Sequence, residues 1–312
     1  MIPLLIVSVV VFGFVFLGIY LNRKVFFTKT WEYEATYENE VRQGAFNPEQ
    51  FRRLKKEELT IDSPFGYRLH AIWIPGEGSD KTVIFSHGYT YSLFGSVKYL
   101  DIFLNLGYNI LLYDHRYHGK SGGKNCTMGF REKDDLRSVT DWVFQKCGSD
   151  SFVVTHGESL GGATVLLHGA MDKRISAIIA DCPYKSVWAQ FQYKLMEIYK
   201  LPAFPFLHIS DWFSPLFIGT RFSQISPQEA VKNIHCPVLF IHGDQDRYIP
   251  YQFSVDLYNQ KSGQKRLYVA KGADHAQSCL IDRAAYGAQI NQFLSEVESI
   301  KTHSIAAQKA SS

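Results

Sequence analysis

The chain has 312 residues, 46% hydrophobic and 20% charged, with a formal net charge of +3. That is ordinary globular composition with ample length for a large core, and the small charge excess, with no dense Lys/Arg block away from the N-terminal segment, leaves nucleic-acid binding without electrostatic support. Five scattered cysteines (Cys126, Cys147, Cys182, Cys236 and Cys279), odd in number and without a CxxC, argue against a disulfide framework or a zinc site and fit a reducing compartment.

Residues 1–21, MIPLLIVSVVVFGFVFLGIYL, carry no charged side chain. A helix of that length spans the roughly 30 Å hydrocarbon core of a bilayer. A basic n-region and a small-x-small cleavage site are both missing, so an uncleaved transmembrane anchor is expected rather than a signal peptide. Arg23, Lys24 and Lys29 follow at once. The positive-inside rule then predicts a single-pass, membrane-anchored protein with its main domain on the cytoplasmic side. Residues 22–57 read as a connector, in which Arg52, Arg53, Lys55 and Lys56 beside Glu57 and Glu58 make a solvated helix face.

The pattern changes from residue 58. ELTIDSPFGYRLHAIWIPG predicts two strands around a turn. KTVIFSHG is a short apolar run, SVKYLDIFLNLGY has helical periodicity, and NILLYDHR is again a short apolar run. REKDDLRSVTDWVFQKC predicts an amphipathic helix. SFVVTHG, ISAIIADCP, CPVLFIHGD and KRLYVAKG predict strands, and LGGATVLLHGAM and AAYGAQINQFLSEV predict helices. Strands alternating with helices mean βαβ units and a mostly parallel sheet covered on both faces. Residues 184–233 break this rhythm, being rich in aromatics and proline with no strand pattern, and are expected to form an inserted helical cap. The hydrolase-type domain is bounded at 58–298, with a flexible polar tail at 299–312.

One motif carries chemistry. Gly157-Glu158-Ser159-Leu160-Gly161 fits G-x-S-x-G, a weak signal alone. Here it follows a predicted strand and opens a predicted helix, the context the motif requires. A turn that tight presents Ser159 as a nucleophile at a helix N-terminus, where backbone N–H groups point outward. A serine hydroxyl needs a base, and the base needs an orienting acid. The order Ser, Asp, His is met by Asp246 in the loop of IHGDQDRYIP and by His275 in GADHAQS. Asp244 is expected to shape its own turn, and Asp181 is a third candidate acid. His87, His115, His118, His156 and His242 read as structural or loop histidines. Oxyanion donors are expected from the backbone N–H groups of Leu160 and Tyr89.

The set SHGY, YDHRYHGKSGG, GESLGG, HGDQD and GADH resembles the α/β-hydrolase superfamily, nearest the membrane-anchored bacterial serine hydrolases grouped with S33-type serine aminopeptidases and monoacylglycerol lipases. The resemblance covers about residues 59–297. It implies an α/β-hydrolase fold, Ser159, Asp246 and His275 as catalytic triad, Tyr89 and Leu160 as oxyanion donors, and a cap over the pocket. In such relatives the DHRYHGKSGG segment is structural. The reaction expected is cleavage of carboxylic esters, with small acyl esters, lipid-derived ones among them, as substrates and no cofactor or metal. Two alternatives are a peptidase on the same triad, for which Glu197, Asp211 and Glu229 of the cap would have to reach the pocket, and a non-catalytic binding scaffold.

Overall fold

The computed structural model describes residues 2–76 and 78–311, with side chains at residue 8 and over residues 11–76 and 78–300. Eight strands form one sheet: β1 (Glu57–Asp62), β2 (Arg68–Ile74), β3 (Lys81–Ser86), β4 (Asn109–Tyr113), β5 (Phe152–Glu158), β6 (Ala177–Asp181), β7 (Val238–Gly243) and β8 (Lys265–Ala270). Their order is β1-β2-β4-β3-β5-β6-β7-β8. β2 runs antiparallel to both β1 and β4, and every other neighbouring pair is parallel.

The short apolar runs become strands buried along their whole length, as in β4, β5, β6 and β7. Successive side chains point to opposite faces. Val83, Phe85, Ile110, Leu112, Val154 and Ile179 enter one core layer. Ile84, Leu111, Val153, Ile178, Ala180 and Phe240 enter the other.

Thirteen helices surround this sheet among the described residues. Those before β1 are α1 (Ile2–Phe26), α2 (Tyr33–Arg42) and α3 (Pro48–Arg53). The core helices are α4 (Leu100–Asn105), α5 (Glu132–Cys147) and α6 (Leu160–Gly169). Between β6 and β7, in the segment expected as a cap, lie α7 (Val187–Tyr193), α8 (Phe206–Phe213), α9 (Pro215–Ile218) and α10 (Pro227–Ala230), with no strand. α11 (Gln252–Gln260), α12 (Ser278–Ile281) and α13 (Arg283–Ser311) complete the chain. α13 buries Tyr286, Ile290, Phe293, Leu294 and Val297, a stripe at helical spacing, on the first core layer. α5 and α6 cover the second layer with Leu136, Val139, Val143, Val165 and Leu166. The side chains of residues 301–312, most of the expected flexible tail, lie outside those described.

The N-terminal expectation needs correction. Among the described residues, no helix is long and apolar enough to cross a membrane. The single-pass anchor and the membrane-bound localisation therefore fall. The physical reason is visible in the second half of α1, which packs against the protein itself. Phe14 packs edge-on to Trp212 and tilted against Phe213 of α8, with ring centroids 6.2 Å apart in each case. Asn22 is fully buried and donates from Nδ2 to the Ser210 carbonyl at 2.9 Å. Phe26 is buried with Leu160, Tyr184, Leu207 and Phe222 in a third apolar cluster, which joins α1, the cap and the start of α6. The side chains of residues 1–7, 9 and 10 lie outside those described.

Candidate active site

Parallel sheets place ligand sites at the carboxyl ends of strands, where the strand order reverses. Here β3 lies between β4 and β5, and the ends of β3 and β5 lie side by side. β5 stops at Glu158 and α6 starts at Leu160, leaving Ser159 between them at φ 57° and ψ −112°. A non-glycine residue at positive φ is strained and needs its surroundings to hold it. The two flanking glycines make the corner possible. A Cβ on Gly157 would sit 2.2 Å from the Gly161 carbonyl oxygen, and one on Gly161 would sit 1.9 Å from that of Ser86. The Ser159 N–H donates to the Asp181 carbonyl at 2.8 Å, and its carbonyl accepts from Ala163 to begin the helix.

The loops after β7 and β8 bring two further predicted residues to this corner. His275 Nε2 lies 3.0 Å from Ser159 Oγ, and His275 Nδ1 lies 2.7 Å from Asp246 Oδ2. Facing a carboxylate, Nδ1 is the donor, which leaves Nε2 to accept from the serine hydroxyl. Asp246 is fixed by more than His275. Its Oδ1 accepts from the Tyr248 and Ile249 N–H groups, both at 2.8 Å. Its Oδ2 also meets His242 Nε2 at 3.1 Å, while Ser254 Oγ sits 2.7 Å from His242 Nδ1. Burial pushes the Asp246 carboxyl up, but hydrogen bonds from His242 and His275 outweigh it and hold the group below the usual carboxylate range. His242, read from sequence as a loop histidine, thus supports the acid.

The competing acids are occupied elsewhere. Asp244 Oδ1 accepts from the Gly272 N–H at 2.7 Å and ties the two loops together. Asp181 bonds to Tyr286 Oη at 3.0 Å rather than to His275.

Tyr89 and Ser159 line one cleft of about 410 Å³, together with Gly88, Lys98, Glu158 and His275. Leu160 opens α6, and the N–H groups of a first helical turn have no partner within their helix. The loop carrying Tyr89 is braced by the histidines of the neighbouring motif. His87 Nδ1 donates to the Gly88 carbonyl at 2.7 Å while Nε2 accepts from the His115 N–H at 2.9 Å. His118 Nε2 accepts from the Thr90 N–H at 3.1 Å. Burial pushes His87 and His118 down, which keeps both neutral and able to accept these bonds. The Tyr89 hydroxyl donates to the Val25 carbonyl at the end of α1. Tyr89→Phe keeps the backbone N–H and removes that tether. The expected result is a kcat about 2- to 10-fold lower on an activated ester with KM little changed. An unchanged kcat would mean the tether does not position the loop.

Behind the serine lies a buried charged cluster. Lys98 Nζ meets Glu158 Oε2 at 2.5 Å, and Tyr99 donates to the same oxygen. Asp181 is completely buried, and that burial, with the nearby Glu158 charge, pushes its carboxyl up to about 7. The unfolded chain releases this proton near pH 4. The folded state therefore holds a proton that the unfolded state has lost across about pH 4 to 7, and stability falls as pH rises through that window. Asp181→Asn mimics the protonated form. The melting temperature of the variant relative to wild type should climb between about pH 4 and 7, and a flat difference would contradict the buried acid.

Among the described residues, Cys182, Asp246 and His275 have potential metal-ligand atoms within 4.8 Å of one another. Asp246 and His275 already bond to each other, and burial pushes the Cys182 thiol up, against thiolate formation. A metal would have to compete with both.

A sheet of this order with a nucleophile-type turn at the end of β5 defines a class, and sequence comparison agrees: the chain belongs to the α/β-hydrolase superfamily. Residues 81–201 match the family described as the α/β hydrolase fold. The chain is similar to an uncharacterised Bacillus subtilis protein, YqkD, at 36% identity over 93% of this chain and 96% of that one. It is similar to the Pyrococcus furiosus esterase Pf2001, with a TM-score of 0.65 and 26% identity over 81% of this chain and 95% of the esterase. It also matches lysophosphatidylserine lipase ABHD12 of Danio rerio at 25% identity over 61% of this chain, and so spans about half of that lipase, 50% of its length.

Proposed function

We propose that the protein is an esterase- or lipase-like serine hydrolase that cleaves carboxylic esters through an acyl-enzyme. The observation that carries this reading is the continuous series of hydrogen bonds from Asp246 through His275 to Ser159. In the proposed reaction, His275 Nε2 takes the Ser159 proton as Oγ attacks the ester carbonyl. The N–H groups of Tyr89 and Leu160 stabilise the oxyanion, and Asp246 stabilises the imidazolium. His275 then returns the proton to the departing alcohol. Water, deprotonated by the same histidine, releases the acid and regenerates Ser159. The names of the relatives, an esterase and a lipid lipase, agree with ester substrates.

The S33-type peptidase alternative finds no support in the cap carboxylates. Asp211 accepts from the Ser223 N–H and hydroxyl, Glu229 pairs with Lys232, and Glu197 pairs with Lys200.

A fluorophosphonate probe tests the reading. Wild type should be labelled and Ser159→Ala should not, and p-nitrophenyl esters from acetate to palmitate should be turned over with a chain-length optimum. Absence of both labelling and turnover in folded wild type would overturn the reading in favour of a binding scaffold.

A further inference from the structure

The cleft at Ser159 extends beyond the proposed catalytic residues to a wall supplied by the connector. α2 contributes Asn39 and Glu40 to its lining, and the following Gln43 joins them, together with Tyr91 and Lys98. Three ionisable side chains meet here, Lys98, Glu158 and Glu40. Lys98 is matched: its ammonium meets Glu158 Oε2 at 2.5 Å and donates to the Ala276 carbonyl at 3.2 Å. Glu40 is not. Its Oε1 accepts from the Tyr91 hydroxyl at 2.8 Å, but its Oε2 is buried with no hydrogen-bond partner, in a residue only 4% exposed. Burial pushes the Glu40 carboxyl up, against the pull of Lys98 and of the Tyr91 hydrogen bond. The Lys98 ammonium bonds to Glu158 rather than to Glu40, and a buried carboxyl oxygen with no hydrogen bond is costly to keep. Glu40 stands in the wall of the cleft that holds Ser159.

We propose that Glu40 is the subsite for a primary ammonium group carried by the ester substrate. This rests on the hydrolase reading above and narrows its substrate class to amino-bearing esters. An ammonium brings both things Glu40 lacks, an ion pair of its own and a donor for Oε2, whereas a hydroxyl brings only the donor. Lys98 does not exclude it, because Glu158 already holds its charge. Gln43, exposed beside Glu40, sits on the solvent side of the same wall.

The test compares three matched esters ending in an amino, a hydroxyl or a methyl group. One series carries the end group on the acyl side and a second on the alcohol side, and Ser159 labelling is measured in parallel. In at least one series, wild type should prefer the amino over the methyl ester by about 10- to 100-fold in kcat/KM, mainly through KM. Glu40→Gln, which keeps an acceptor for Tyr91, should collapse that ratio. Gln43→Lys, a surface change that sets a cation beside Glu40, should lower it as well. A variant that merely folds poorly lowers all rates together and leaves the ratio intact. If Ser159 is labelled and the esters are turned over, but the ratio is near one in both series, favours the hydroxyl ester, or survives Glu40→Gln, the ammonium subsite is wrong and the hydrolase reading stands. If nothing is labelled or hydrolysed, the hydrolase reading has failed and this inference with it.

Discussion

His275→Ala is expected to lower kcat on a short p-nitrophenyl ester by about 10⁴- to 10⁶-fold while leaving KM within a few-fold of wild type. The argument is one of proton inventory. Ser159 Oγ lies 3.0 Å from His275 Nε2. Of the nearby acids, Glu158 is paired with Lys98 and Asp181 with Tyr286, so neither is free to replace the imidazole. Without a base the hydroxyl attacks as a neutral alcohol, and only the proposed oxyanion donors and substrate positioning still contribute. Because the two residues act as one unit, the double variant with Ser159→Ala should be little slower than either single variant. A loss in His275→Ala smaller than about tenfold would sink the assignment of the base, since general-base contributions run well above that.

Asp246→Asn should be nearly as damaging, with kcat down by about 10³- to 10⁴-fold and near-normal folding at neutral pH. Four donors converge on the two oxygens of this carboxylate: the Tyr248 and Ile249 N–H groups on Oδ1, and His242 and His275 on Oδ2. An amide can keep only one oxygen. The two backbone N–H groups cannot rotate away, so the oxygen stays with them and the NH₂ turns toward the histidines. His275 Nδ1 must then accept, which moves its proton to Nε2 and points a donor at Ser159. The nucleophile loses its base through a change of tautomer, with no atom displaced by more than a rotation. A second readout separates this from simple damage. The folded state holds the Asp246 carboxyl below its ordinary range, so its stabilising effect is complete above the unfolded value near pH 4 and is lost as pH falls through the folded one. The melting-temperature gap between wild type and variant should therefore be widest above about pH 5 and narrow in acid. A gap that does not change with pH, or an active Asn variant, would remove Asp246 from the role.

The parts of this site legible in the sequence are those specified by local chemistry. The glycines of GESLGG announce a corner because a Cβ there meets backbone within about five residues along the chain or on an adjacent strand. The order of Ser159, Asp246 and His275 is legible because each follows its own apolar run. What escaped depends on contacts between distant segments. Asn22 meets the Ser210 carbonyl 188 residues away, and nothing around Asn22 in the sequence reveals that this polar side chain will be buried in protein. Residues 1–21, free of charged side chains, read as an anchor, yet among the described residues no helix is long and apolar enough to cross a membrane. Nothing in the connector's sequence singles out Glu40, because its surroundings depend on Tyr91 and Lys98, which lie much later in the chain. His242 was passed over for a similar reason: its value lies in a second hydrogen bond to an acid whose main partner was already found.

The hydrogen bond from Tyr89 to Val25 bears on how this protein should be produced in the laboratory. The hydrolase motifs begin near residue 58, and trimming a recombinant chain to that point would seem a safe way to discard a greasy leader. Such a trimmed chain would keep Ser159, Asp246 and His275, yet it would lose the carbonyl that holds the Tyr89 ring, the Phe26 side chain that packs with Leu160, and the helix that carries Glu40. An inactive trimmed preparation would then report a missing wall of the reaction chamber, and mistaking it for a dead enzyme would be an artefact of where the gene was cut.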